Sequence, residues 1–70
     1  MTNRIVVDPK ILSGKEVVKG TRIPVYVILN LLAHGKKPQE ITKEYPEITT
    51  ADVFATMEYS LFSSDILLTI

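Results

Sequence analysis

The sequence predicts a mainly α chain: a three-helix bundle containing a helix-turn-helix, preceded by a short N-terminal β segment. Three observations predict it. Prolines and glycines punctuate residues 24–46 as helix boundaries, a threonine and an aspartate at 49 and 52 mark the start of a further helix, and the valine-rich runs stand ahead of Pro24.

Arg4-Ile5-Val6-Val7 is a β-branched run closed by Asp8-Pro9, a turn-initiating pair, and is expected as a strand. Lys15-Glu16-Val17-Val18-Lys19, between Ser13-Gly14 and Gly20, is too short for a helix and is expected as a second extended segment. Together they form a small ribbon that carries most of the basic residues. Gly20-Thr21-Arg22-Ile23-Pro24 is then the hinge into the first helix. A glycine that permits positive φ and a proline that fixes φ mark a change of element. The Thr21 hydroxyl can bond backbone at such a corner, and the planar fork of Arg22 suits a phosphate or a carboxylate, with Glu47 or Asp52 as the intramolecular choices.

The first helix runs from Pro24 to the stop at Gly35, with polar side chains only at Asn30 and His34 besides the phenol of Tyr26. A helix apolar nearly all round is buried nearly all round. In so short a chain part of that burial is expected from a second subunit or partner, with Val27 and Leu31 as interface positions. His34, with no second histidine or any cysteine in the chain, is expected as a helix C-terminal residue rather than a ligand. Pro38 opens the second helix, Ile41 and Tyr45 are its core contacts, and Pro46 ends it. Ile48, Thr49 and Asp52 form a staple and capping box, in which Glu or Gln is the commoner partner. The third helix is expected to bury Val53, Phe54, Met57 and Leu61 and to turn Asp52, Ala55, Thr56, Glu58 and Tyr59 outward.

With 70 residues the chain is expected as one domain, divided into a basic arm (1–23), the bundle (24–62) and an apolar tail (63–70). Hydrophobic residues make up 46% of it, enough to fold, and the lack of cysteine removes disulfides and thiolate metal sites. No leader opens the chain and no apolar run approaches the roughly 20 residues that cross a bilayer, so a cytoplasmic setting without membrane contact is expected. A core this small favours self-association, and a homodimer is expected. The net charge is zero, yet residues 1–37 hold seven of the eight basic residues and residues 38–70 hold six of the eight acidic ones. Either the two halves attract each other or the basic half faces a polyanion.

A nucleophile with its base, a metal triad and a phosphate loop are all missing; GKEVVKGT has the wrong order for a Walker motif. Glu40 and Glu44 lie one turn apart and read as solvated carboxylates. A non-enzyme with no cofactor and no small-molecule substrate is expected. The third helix, with two outward carboxylates and no Lys or Arg, is a poor surface for DNA. Any DNA contact is therefore expected from Lys15, Lys19, Arg22, Lys36 and Lys37. In the tail, Ile66, Leu67 and Leu68 are expected to dock, on the open edge of the ribbon or in a partner's groove.

The succession Ile5…Asp8-Pro9, Gly14-Lys15, Lys19-Gly20-Thr21-Arg22-Ile23-Pro24-Val25, Leu32-Ala33-His34-Gly35, Tyr45-Pro46-Glu47-Ile48-Thr49 and Asp52-Val53 resembles the small prokaryotic family catalogued as domain of unknown function 433. The resemblance covers residues 4 to about 60, and the Gly-Thr-Arg-Ile-Pro-Val block is its specific part. It implies a homeodomain-like helix-turn-helix fold. It further implies an antitoxin of a VapBC-like toxin-antitoxin pair, whose toxin is a PIN-type ribonuclease. The working expectation is a module that binds that toxin and its own operator DNA. Lys37 and Glu16 depart from the family pattern, where a Ser or Thr cap and a proline are usual. The alternative is a small protein-interaction or scaffold domain with no nucleic-acid role.

Overall fold

A computed structural model of the chain describes residues 4–62. The predicted tail, with Ile66, Leu67 and Leu68, lies outside the described residues. Strand β1 (Ile5–Val7) pairs antiparallel with β2 (Glu16–Val18), followed by three helices, α1 (Val25–Ala33), α2 (Pro38–Glu44) and α3 (Thr50–Phe62). The expected mainly helical chain with an N-terminal β ribbon is therefore present.

The corner between β2 and α1 explains the Gly-Thr-Arg-Ile-Pro block. Gly20 takes φ +83°, where a side chain would be strained. The Thr21 hydroxyl donates to the Val18 carbonyl (2.8 Å) and accepts from the Ile23 N–H (3.0 Å). The Val18 N–H in turn donates to the Ile23 carbonyl at 3.0 Å, and Val17 bridges Pro24. The chain thus folds back along β2 before α1 begins. Pro24 stands as the N-cap residue, one position ahead of its expected place, with extended ψ 147°.

Each helix ends for a local reason. At the end of α1, Gly35 adopts φ +89°, and the N–H groups of Gly35 and Lys36 donate to the carbonyls of Leu32 and Leu31, both at 3.0 Å. This is a Schellman stop, which satisfies carbonyls the helix leaves open. His34 places Nδ1 2.7 Å from the Asn30 carbonyl, the C-terminal role expected for it. Lys37 caps α2 with no side-chain acceptor, but the Glu40 carboxylate reaches back to the Lys37 N–H at 2.8 Å. That bond supplies half of the capping the lysine cannot give.

Val18, Ile28, Ile41, Ile48 and Val53 form the buried centre, one residue each from β2, α1, α2, the turn before α3, and α3. Ile5, Ile23, Leu31, Leu32, Tyr45 and Met57 close around it. Ile48 precedes the α3 cap and Val53 lies within its first turns, so the predicted staple is part of this core. α1 touches β2, α2 and α3, and its exposed residues are Tyr26, Asn30, Ala33. Leu31, expected outward, packs against the core instead, and Val27 is half-buried. The ribbon and two helices cover more of α1 than its length suggested.

Candidate interaction surfaces

Asp52 joins the two halves of the chain. Its Oδ2 accepts from the Thr49 N–H (2.9 Å), its own N–H donates to Thr49 Oγ1 (3.1 Å), and its Oδ1 accepts from Arg4 Nη1 (3.0 Å). The capping box is complete despite the shorter aspartate. The Asp52 side chain is 10% exposed, whereas that of Arg4 is 52% exposed. Burial alone would raise the Asp52 carboxyl, but the Thr49 N–H, the Arg4 guanidinium and the Thr49 hydroxyl hold it below its ordinary value. Of the two carboxylates expected for Arg22, Asp52 is instead bridged by Arg4, which stands closer to the start of α3 because β1 packs there, and Glu47 lines the same cleft as Arg22.

This anchoring rotates α3 away from the predicted orientation. Asp52, Ala55 and Thr56, expected outward, are buried at 7%, 8% and 0% exposure, and Tyr59 is half-buried with its hydroxyl donating to Glu16 Oε2 at 3.3 Å. Thr56 enters the core because its hydroxyl is satisfied within the helix by the Asp52 carbonyl at 2.9 Å. Val53 and Met57 face inward as expected. Phe54 and Leu61 do not: they are 56% and 71% exposed, and Phe62 is 77% exposed. Phe54, Glu58, Leu61 and Phe62 fall at i, i+4, i+7 and i+8, one face of the helix. This outward apolar stripe, carrying a single carboxylate, was missed in the sequence. The signal that would have found it is the cap itself, since Asp52 turned back to Thr49 also fixes the side on which Thr56, one turn on, must lie.

The basic candidates are all exposed: Lys15 and Lys19 flank β2, Arg22 lies in the corner, and Lys36 and Lys37 form the α1–α2 turn. Arg22 lines an open cleft of about 490 Å³ with Gly20, Thr21, Val6, Ile11 and the carboxyl-bearing Asp8 and Glu47. Its surroundings are therefore mixed in charge rather than uniformly basic. Glu40 is engaged at the α2 cap, and no group of three metal-ligating side chains occurs among the described residues. No helix among the described residues is long and apolar enough to cross a membrane.

A family model described as "Protein of unknown function (DUF433)" matches residues 5–60. The chain belongs to this family. A crystal structure of a DUF433 member protein from Anabaena variabilis ATCC 29413 is similar to it, with a TM-score of 0.82 and 26% identity. The alignment covers 91% of this chain and 63% of that one, so the chain spans less than two thirds of that relative's length. No curated protein matches. The DUF433 block from Lys19 to Val25 is, in this chain, the hydrogen-bonded corner between ribbon and helix.

Proposed function

We propose that this DUF433 chain is a non-catalytic, antitoxin-like docking module whose α3 seats in an apolar groove of a PIN-type ribonuclease toxin. The observation that carries the reading is the stripe of Phe54, Leu61 and Phe62, exposed on a helix whose polar residues Asp52 and Thr56 are turned into the core. Apolar anchors on one face of a helix, here at i, i+7 and i+8 with Glu58 between them, are the form that helix-in-groove recognition takes. On this reading the α2–α3 pair is a homeodomain-like helix-turn-helix used for protein contact. Operator DNA, in the same proposal, is held by Lys15, Lys19, Arg22, Lys36 and Lys37.

The test is capture and inhibition of a PIN-type ribonuclease encoded beside this chain. Phe54→Glu and Leu61→Glu should each weaken capture roughly tenfold or more, as expected for central apolar anchors. Failure to bind or inhibit any such neighbour would refute the antitoxin reading. The alternative, a scaffold domain without a nucleic-acid role, is separated by operator retention across a salt series, which falls steeply only for phosphate binding.

A further inference from the structure

Among the described residues, β1 has one edge against β2 and one edge open. In an antiparallel ladder, residues alternate between pairs that exchange hydrogen bonds and pairs that do not. The register sets Ile5 opposite Val18, Val6 opposite Val17 and Val7 opposite Glu16. Lys19 N–H donates to the Arg4 carbonyl at 2.7 Å, whereas Val18 N–H points away from β1, to Ile23. Arg4 and Val6 therefore bond toward β2, and the N–H and C=O groups of Ile5 and Val7 point out of the open edge. The sheet has two strands among the described residues, and Val7 is 60% exposed. Such an edge is a template for another strand.

We propose that this edge pairs with the same edge of a second copy, antiparallel about a two-fold axis at Val6, to form a four-stranded sheet across a dimer. β1 is self-complementary in that register. Ile5 exchanges hydrogen bonds with the partner's Val7, and Val7 with the partner's Ile5, which uses every outward backbone group of the strand. Val6 meets the partner's Val6 at a non-hydrogen-bonded site, where β-branched side chains approach closely. Arg4 faces the partner's Asp8 at both ends, a pair of opposite charges. Its side chain is 52% exposed while bound to Asp52. Sliding the pairing by two residues toward the C-terminus brings in Pro9, which has no N–H to give. Sliding it the other way removes both charge pairs. This inference stands apart from the antitoxin reading, since a dimer joined at β1 needs no toxin.

The experiment is sedimentation equilibrium of the full chain across a concentration series, with amide hydrogen exchange followed residue by residue. The Ile5 and Val7 amides should gain protection as concentration rises, while the Val6 amide, bonded to β2, stays protected throughout. Val7→Pro removes an outward N–H and no bond to β2, and should raise the dimer dissociation constant about tenfold or more without changing helical circular dichroism. Asp8→Lys and Arg4→Glu should each weaken self-association, and an equimolar mixture of the two should restore it. A chain that stays monomeric at every concentration would overturn the proposal. So would a dimer whose Ile5 and Val7 amides exchange freely, or one that survives Val7→Pro and is lost when residues 65–70 are deleted.

Discussion

Asp52→Asn isolates the charge of the residue that caps α3 while keeping its shape and one acceptor. The structure gives that charge three tasks: it accepts the Thr49 N–H, binds Arg4, and lies in the first turn of α3. A negative charge in the first turn contributes about 0.3–1 kcal/mol. The Arg4 pair, half exposed on the arginine side, adds no more than about 1 kcal/mol after solvent screening. A total loss of about 1–2 kcal/mol follows, against a stability of roughly 4–10 kcal/mol for a domain of this size. Thermal denaturation should register it as a fall of roughly 5–15 °C in Tm. The loss should also depend on pH with a definite sign. The folded carboxyl titrates below its unfolded value, so its contribution is complete above about pH 4–5 and disappears as pH falls through the folded pKa. Melting curves of the two proteins should therefore differ at pH 7 and converge in strong acid. A gap of the same size at pH 7 and at pH 2 would refute the assignment to charge, and no gap at pH 7 would refute the cap.

Thr21→Val removes both hydrogen bonds that close the β2–α1 corner and should destabilise by about 1–2 kcal/mol in urea titration, with faster exchange of the Ile23 amide. Gly35→Ala forces a side chain into φ +89° at the Schellman stop and should lower stability by about 1–2 kcal/mol, measured the same way. Joint replacement of Lys15, Lys19 and Arg22 by Gln should abolish low-salt retention of operator fragments and leave the melting temperature within a few degrees, since all three are exposed. Retention that persists would remove Lys15, Lys19 and Arg22 from the DNA proposal.

Element boundaries were legible because they rest on local chemistry. Pro38, Pro46, Gly35 and the Thr49–Asp52 box each act within one turn, and each stands where its residue type dictates. The rotation of α3 was not legible in its hydrophobic pattern. Phe54 and Leu61 are at helical spacing from Val53 and Met57, but ribbon, α1 and α2 supply cover for only one side. Which side faces the core is decided by Arg4, 48 positions earlier in the chain, and by the hydroxyl of Thr56, which bonds inside its own helix. Polarity alone placed both Asp52 and Thr56 outside; satisfied polarity places them inside. The same limit applied to Arg22, whose nearby carboxylates were named correctly only in part: Glu47 shares its cleft, and Asp52 belongs to Arg4.

The Arg4–Asp52 bridge also bears on the order of folding. Closing a flexible loop of 48 residues costs roughly 3.4 kcal/mol in chain entropy before any contact rewards it. The contacts of α2 with α3, joined by the turn at 45–49, close far shorter loops, so the helical pair can assemble while β1 is still detached. Docking of the ribbon is then a late event, and the carboxylate that starts α3 waits with its outer oxygen in water until β1 arrives. Arg4→Ala should accordingly speed unfolding and leave the refolding rate nearly unchanged in a denaturant chevron. The first strand of the chain is thus the last to join it.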